Sequence, residues 1–323
     1  MAVMLTPDEL AIARSVIYAS LFDYPLTVDE VHATLVRSTL TVGEVLATYR
    51  RSFTLRHIVD YQDGFFFPAG RTTLIVERRQ REALSRAFLD HHRRFLRILC
   101  AIPYAGMVAL SGSIAHLNLD GGGDLDLFII TRGRHVWSVT VAVLVIAKLF
   151  RRRRVTCANF VVSDTSLALE QQDLFTANQA IHLKPLIGSG VFREFLAANP
   201  FVTEVYPNFQ PSGAPAFGFK ESAAVERVKA AVEWLLCGPA FCVEALCRYA
   251  YGSYLRGRAS SWSSPDQVRL QRACLKLHTR SHRHSTLERF DAMMREAVAR
   301  LDEIDRSAVP APARQAPKKY RRG

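Results

Sequence analysis

The sequence lacks several features that would assign it to a specialised class of protein. Its six cysteines, at positions 100, 157, 237, 242, 247 and 274, form no CxxC pair and are too sparse for a disulfide scaffold, so we expect reduced and mostly buried thiols. The N-terminus has no basic segment followed by an apolar one, as a secretory leader would, and this predicts a cytoplasmic protein. No internal repeat is present.

Long apolar runs are also missing. The longest, residues 137–150, contains Ser138, Thr140 and Lys148 and is shorter than the roughly 20 residues that span a bilayer. We therefore expect a buried helix here and no transmembrane segment. The four arginines that follow, 151–154, leave contact with a membrane surface as an alternative for this part of the chain.

What is present describes a folded, basic protein. The chain has 323 residues, of which 49% are hydrophobic and 22% charged, so we expect two compact units or one unit with large additions. Lys and Arg number 42 against 30 Asp and Glu, a net charge of +12. Such a surface attracts anions, which include nucleotides, nucleic acid and acidic lipid headgroups. The charge alone does not choose among these partners.

Residues 1–71 carry helix-start signals followed by a hairpin signal. The helix starts are Thr6 before Pro7 and the capping boxes Thr27-x-x-Glu30 and Thr41-x-x-Glu44. Asp63-Gly64 stands between two β-rich runs, which is typical of a two-residue hairpin turn. Three helices and a hairpin form the pattern of a winged helix, so we predict a winged-helix-like domain over 1–71.

The remainder predicts an α+β protein with a central mixed sheet. Residues 72–99 form a basic connecting helix, 107–131 contain two strands separated by a Gly/Asp-rich loop, 137–150 form a helix and 155–162 a third strand. We assign 72–200 to this sheet domain. Helical patterns over 167–186, 190–199, 222–255 and 265–304 predict flanking helices and a helical C-terminal region over 201–306. The Pro/Ala-rich, basic residues 307–323 predict a disordered tail.

One segment carries chemistry. Gly112-Ser113 is followed by Asp124-Leu125-Asp126, which the pattern places inside an apolar strand. Alternate residues of a strand face the same side, so the two carboxylates lie together. Mg²⁺ prefers oxygen ligands and bridges carboxylates to substrate phosphates, with Mn²⁺ as its substitute. Gly112 allows close approach of a phosphate, and the Ser113 hydroxyl donates to one.

These residues resemble the signature of the nucleotidyltransferase fold, the superfamily that includes DNA polymerase beta. The motif covers about 25 residues, but LFDYPLT, LFIIT and DLFTANQAIHLKPLIG extend a second resemblance, to uncharacterised bacterial nucleotidyltransferase-domain proteins, over most of 10–300. The resemblance implies that Gly112 and Ser113 hold the phosphates of ATP or another nucleoside triphosphate. It also implies that Asp124 and Asp126 are catalytic and ligate the metal.

The third acid of that superfamily is the point of departure. The strand expected to carry it has Asn159, which offers a carbonyl oxygen but cannot act as a base. Asp164, just past the strand, and Asp120, in the glycine loop, are alternatives. We place Asn159 at the catalytic position and expect either an active transferase, moving NMP to a hydroxyl acceptor with release of pyrophosphate, or a catalytically degenerate nucleotide-binding adaptor.

Other residues have two interpretations each. Lys184 is a candidate triphosphate ligand or a surface lysine, and Arg132 and Arg134 either steer the nucleotide or cover a sheet edge. His116 is site lining or core. The histidines 278, 282 and 284 lack a cysteine or acid to complete a tetrahedral site, which favours a polar helix end.

The N-terminal segment allows a third function, a winged-helix DNA-binding regulator. Its recognition helix would start near Glu44 and carry bases only at its end, at Arg50 and Arg51. Helices that read DNA place Arg, Asn or Gln near their start. The pattern therefore favours a docking or substrate-presenting module.

Overall fold

The computed structural model describes residues 5–277 and 282–308, which form a mixed α+β fold of twelve helices and two sheets. The helices are α1 (Pro7–Ser20), α2 (Val28–Ala33), α3 (Val42–Arg51), α4 (Thr73–Cys100), α5 (Gly112–Ala115), α6 (Val136–Leu149), α7 (Leu174–Ile181), α8 (Ser189–Ala197), α9 (Phe201–Val205), α10 (Ala223–Leu236), α11 (Ala240–Gly257) and α12 (Arg283–Ala308). The strands are β1 (Leu26–Thr27), β2 (Val59–Gln62), β3 (Phe65–Pro68), β4 (Ala105–Ser111), β5 (Leu125–Thr131), β6 (Thr156–Ser163), β7 (Lys184–Ile187), β8 (Val268–Leu270) and β9 (Cys274–Leu277). His278, Arg280 and most of the expected tail, 309–323, lie outside the described residues.

The N-terminal elements form where the local signals place them. Thr6, Thr27 and Thr41 each cap a helix through a complete capping box, so the three predicted helix starts are confirmed. The hairpin turn is also confirmed, because Asp63 and Gly64 both have positive φ, as a type I′ turn requires. With β1 the hairpin makes a small antiparallel sheet in the order β1-β3-β2.

The larger sheet has six strands in the order β7-β4-β5-β6-β9-β8. Only β5 and β6 run parallel, and α6 makes the crossover between them, while the other pairs are antiparallel. Helices α4, α6 and α11 pack on one face. Helices α7, α8 and α9 pack on the other. The sheet is therefore covered on both faces, and its apolar strands pair at the centre of the fold.

Two long helices join the N-terminal elements to the rest. Arg78 of α4 forms an ion pair with Glu30 of α2 at 2.8 Å, and its guanidinium lies 4.0 Å from the ring centroid of Tyr24. Phe290 and Leu301 of α12 complete the core formed by α1 to α3. The beginning and the end of the chain thus share one hydrophobic core.

Residues after β6 are predicted to be largely helical, and the ranges 167–186 and 265–304 are wrong in three places. Residues 184–187 form edge strand β7, where Pro185 is tolerated because an edge strand has one unpaired side. Residues 268–270 and 274–277 form β8 and β9, so the region 201–306 also contributes to the central sheet. Short apolar runs fit a helix or a strand equally well, and pairing with β6 decides for the strand.

The expected continuous helix over 222–255 is two helices. They meet at Gly238-Pro239 with a bend of 87°. Among the described residues no single helix is long and apolar enough to cross a membrane, although α10 and α11 taken together pass that test by length and composition.

Candidate functional site

The site begins where β4 turns into the single-turn helix α5. Ser111, the last residue of β4, pairs with Asp126 of β5. Gly112 follows with φ +64°, and a Cβ atom placed on it would lie 2.5 Å from Oδ2 of Asp126. A glycine is needed here both for the left-handed backbone and for the space that the carboxylate occupies.

The prediction that both acids lie inside a strand is confirmed for Asp126 only. On β5, Leu125, Leu127 and Ile129 enter the core formed with α4, α6 and α11, whereas Phe128 and Ile130 enter the core on the opposite face. Asp126 therefore faces the α7–α9 side, at the start of the strand. Asp124 precedes the strand and is exposed. One carboxylate is half-buried in the sheet and the other lies in solvent beside it.

Asn159 reaches the same face because of an irregularity in β6. The register between β5 and β6 shifts after Asp126, so that three residues of β6 span two of β5. Ala158 and Val161 both pack on the α4–α6 side, which turns Asn159 toward Asp126. Its Nδ2 donates a hydrogen bond of 2.7 Å to Oδ1 of Asp126. The structure thus brings Gly112, Asp126 and Asn159 together.

The electrostatics of this cluster favour a bound cation. Burial, and then the negative charge of Asp124, raise the pKa of Asp126 to about 6, while the hydrogen bond from Asn159 lowers it. Burial and both carboxylates raise the pKa of Cys157, the β6 partner of Asp126, to about 11. The thiol is neutral at physiological pH, so the carboxylates are the anionic donors available to a metal.

The oxygen donors of this cluster are of the type that Mg²⁺ prefers, but they are too few to complete its coordination. Two carboxylates and the amide oxygen of Asn159 are hard donors, and Mg²⁺ commonly takes one or two carboxylates and keeps waters or substrate oxygens for the rest. No group of three or more His, Cys, Asp or Glu side chains suited to a metal occurs among residues 5–277 and 282–308. A metal here would need substrate phosphates to complete its coordination.

Two cavities adjoin the carboxylates. The first, which we call the Asn159 cavity, has a volume of about 200 Å³ and is lined by Ser111, Asn159, Phe160, Gln171, Gln267 and Lys276, among others. The second, the Ser113 cavity, has a volume of about 130 Å³ and lies between α1, α5 and α7, where its lining includes Tyr18, Thr34, Ser113, His116, Asn178 and Tyr206. Gln179 of α7 lines both cavities.

Lys184 lines a third cavity. It lies on β7, where Glu30, Arg78 and His116 are among its neighbours, and it lines neither the Asn159 nor the Ser113 cavity. Burial lowers its pKa, and the charge of Glu30 raises it. A role for Lys184 in nucleotide binding stays a prediction. In the structure, the neighbouring carboxylate of Glu30 favours the charged form of Lys184.

Two alternatives from the sequence need correction. Asp164 is not a substitute third acid, because it follows the far end of β6 and accepts a hydrogen bond from the amide of Gly133 at 2.9 Å. Arg132 is at that far end too, where it forms ion pairs of 2.8 Å with Glu226 and 3.2 Å with Glu233 of α10. Arg132 thus holds α10 against the sheet instead of steering a nucleotide, while Asp164 stabilises the turn at Gly133.

The structure also bears on the expectations for His116, for His284 and for the cysteines. His116 is buried with its ring 4.1 Å from that of His182, and burial holds its pKa well below the usual value. His284 forms an ion pair with Glu288 when protonated, as a polar helix end would. The six cysteines are free, as expected, but Cys237 and Cys242 are exposed, contrary to the expectation of mostly buried thiols.

The residue pattern of 265–304 does not predict the polar wall of the Asn159 cavity. Lys276 of β9 donates to Gln171 at 3.2 Å and to Gln267 at 3.4 Å, and its Nζ lies 5.9 Å from the ring centroid of Phe160. Because 265–304 looked helical, these residues could not be placed near Asn159.

Comparison of the chain with protein-family models, with curated proteins and with solved structures found no match.

Proposed function

We propose that the protein is a Mg²⁺-dependent nucleotidyltransferase that moves NMP from a nucleoside triphosphate to a hydroxyl acceptor and releases pyrophosphate. The observation that carries the proposal is the convergence of Gly112, Asp126 and Asn159 at one edge of the sheet. Asp124 and Asp126 would hold the metal, and Gly112 and Ser113 would contact the phosphates. This is the arrangement that the resemblance to the nucleotidyltransferase fold implies.

The Asn159 cavity has polar groups suited to a nucleoside. The amides of Gln171 and Gln267, which hydrogen-bond to each other at 3.1 Å, can also pair with polar edges of a base, and Phe160 is part of the same lining. The cavity opens next to Asp126 through Ser111 and Asn159. A triphosphate whose nucleoside occupied it would carry its phosphates toward the carboxylates.

The Ser113 cavity has the chemistry of an acceptor site. Its lining contains hydroxyl, amide and imidazole groups but no carboxylate, lysine or arginine. The histidines among them, His116 and His182, are held neutral because burial lowers their pKa values. The hydroxyl of Tyr18 is buried and has no hydrogen-bond partner among the described residues. An uncharged compound with hydroxyl groups would satisfy it.

Catalysis at this site would rest on position and charge. When bound, the metal supplies neutralisation of the charge that develops on the phosphates. Asp124 and Asp126 would hold the metal beside the phosphates. The hydrogen bond from Asn159 fixes the rotamer of Asp126. No step is assigned to a protein base, because the side-chain amide of Asn159 is not basic at neutral pH.

The test is turnover with each α-labelled nucleoside triphosphate in Mg²⁺ or Mn²⁺, scored by release of pyrophosphate and by label on an acceptor. The double variant Asp124→Asn/Asp126→Asn should lose all transfer while its fold is retained. Asp63→Asn, in the distant hairpin turn, is the matched carboxylate control and should keep it. Turnover that persists in the double variant would refute the assignment.

The presence of Asn159 favours a second candidate, a nucleotide-binding adaptor without turnover. An amide at this position leaves the cluster one negative charge short of a three-acid site. Binding of labelled nucleotide that needs metal and is lost in Asp126→Asn, without pyrophosphate release over a wide set of acceptors, would establish the adaptor.

For the N-terminal elements we propose a winged-helix-like module that docks or presents a substrate. In α3, Glu44 occupies the first turn while Arg50 and Arg51 lie in the last turn. If the module instead bound DNA, removal of Arg50, Arg51 and Arg56 would flatten the dependence of binding on salt. An unchanged slope would exclude these residues as phosphate contacts.

A further inference from the structure

The helices α10 and α11 carry large apolar side chains on the side that faces solvent. Trp234 is 78% exposed, Phe241 79%, Leu246 67% and Tyr249 74%. In α11 the spacing of Cys242, Leu246 and Tyr249 places them on one stripe, opposite the residues that pack on α6. Both sides of α11 are therefore apolar, and one of them has no protein partner among the described residues.

The end of α6, a helix that packs against α11, exposes further apolar side chains. Leu149 is 74% exposed and Phe150 51%, and the arginines 151–154 follow directly. Burial raises the pKa of Tyr251 on α11, and the charge of Arg153 lowers it, so the two helices meet close to the arginine run. We call these residues the α6–α11 surface, which comprises Val228, Trp234, Leu235, Phe241, Leu246, Tyr249, Leu149, Phe150 and residues 151–154.

The charges around this surface are almost all positive. The acids of α10 and α11 are turned inward: Glu226 and Glu233 pair with Arg132, and Glu244 accepts hydrogen bonds from the first turn of α6. The sequence has no Asp or Glu at all between 133 and 163. Within the described parts of the chain, no carboxylate lies within ion-pair distance of the arginines at 151–154, 227, 248 and 256.

We infer that the α6–α11 surface docks on an anionic lipid membrane. Tryptophan, tyrosine and phenylalanine lie at the level of the headgroups in interfacial helices, and adjacent arginines attract acidic lipids. A second copy of this chain is disfavoured as the occupant, since the contact would bring two unpaired arginine runs together. Nucleic acid is disfavoured because Leu149, Leu235 and Leu246 would have no apolar partner on it.

The inference does not depend on the proposed transferase activity. It is tested by co-sedimentation of the full chain with vesicles of phosphatidylcholine alone and of phosphatidylcholine mixed with phosphatidylserine. We expect binding to the acidic vesicles that weakens with salt, and little binding to the neutral ones. Arg151→Glu/Arg154→Glu should weaken binding by about tenfold or more, since each basic residue near the surface contributes on the order of 1 kcal/mol. Trp234→Ser/Phe241→Ser should weaken it to a similar degree.

The controls are exposed residues of the same types elsewhere. Arg50→Glu/Arg51→Glu on α3 and Phe53→Ser, 65% exposed, should leave vesicle binding unchanged. Far-ultraviolet circular dichroism and thermal unfolding establish that each variant is folded. Absence of binding to acidic vesicles, or equal loss in the control variants, would overturn the inference. So would a dimer in light scattering that Trp234→Ser/Phe241→Ser abolishes, which would assign the surface to a second copy.

Discussion

The amide of Asn159 donates a hydrogen bond of 2.7 Å to the carboxylate of Asp126, across the parallel pair β5 and β6. This contact occupies one oxygen of the carboxylate and fixes its direction. It also places a neutral group where a third acid would complete a metal site. In the proposed function, this one position decides between a transferase and a nucleotide-binding adaptor.

Asn159→Asp is therefore expected to change metal affinity and stability in opposite directions. A third carboxylate should lower the melting temperature of the protein in EDTA, because like charges within a few ångströms repel each other. In Mn²⁺ it should bind metal about tenfold more tightly, since an added anionic donor favours a hard cation. Asn159→Ser removes the hydrogen bond without adding charge and should show no gain in affinity. Thermal unfolding with and without Mn²⁺ measures both effects, and equal stabilisation by Mn²⁺ in all three proteins would contradict the prediction.

Gly112→Ala should displace Asp126. The new Cβ would lie 2.5 Å from the carboxylate oxygen, and the backbone has φ +64°. We expect a loss of roughly 1–3 kcal/mol in the free energy of unfolding and a larger proportional loss of metal binding. Gly122→Ala, in the loop before β5, has no atom within 4 Å of its Cβ position and serves as the control. Urea unfolding and Mn²⁺ titration check the pair of variants, and wild-type metal binding in Gly112→Ala would be incompatible with the site.

The raised pKa of Asp126 predicts a dependence of stability on pH. Its pKa is about 6 in the folded protein and 3.8 in a model peptide, so the native state holds the proton more tightly than the unfolded chain does. The resulting stabilisation is present below about pH 4 and is lost as the pH rises through about 6. In EDTA, Asp126→Asn should thus be more stable than the wild type by roughly 1–2 kcal/mol at about pH 8 and no more stable at about pH 4. A stability difference that does not change with pH would show that Asp126 is not perturbed by burial.

Metal binding should follow the same titration with the opposite sign. Mg²⁺ and Mn²⁺ require the ionised carboxylate, so their affinity is expected to fall as the pH drops through about 6. Isothermal titration at several pH values measures this. An affinity that stays constant across that interval would place the metal on other residues.

Arg78→Met should weaken the junction between the N-terminal elements and α4. The Arg78 side chain is 10% exposed and that of Glu30 33%, and the variant leaves Glu30 without its partner. Burial alone would raise the pKa of Glu30, but the hydrogen bonds and charge of Arg78 hold it below its usual value. We expect a loss of about 2–4 kcal/mol in the free energy of unfolding at neutral pH, with a smaller loss in acid, where Glu30 is protonated. The neighbouring Arg79→Met is the control, since Arg79 is exposed and should cost less than about 0.5 kcal/mol.

The sequence by itself determined the local structure. Capping boxes at Thr27 and Thr41 and the turn at Asp63-Gly64 are formed by contacts within a few residues, and such contacts need no tertiary context. The alternation along 125–130 likewise indicated the face of the sheet on which Asp126 lies, because the period of a strand is a local property, whereas Asp124 lies before the strand. These signals also selected Gly112 and Asn159, which the structure does bring to Asp126.

The tertiary structure decided everything that depends on pairing between distant segments. Strands β7, β8 and β9 are too short and apolar to be told from helix by pattern, and they form because β4 and β6 present unpaired edges to them. This pairing separates Lys184 from the two cavities beside Asp126 and moves Lys276 to the wall of one of them. The parallel pairing of β5 and β6 places Asp164 at the far end of the sheet from Asp126, although Asp164 lies only five positions after Asn159. Each residue adds about 3.3 Å to the length of a strand. Which residues of two strands lie side by side is decided by the register of the sheet, and this register is a tertiary property.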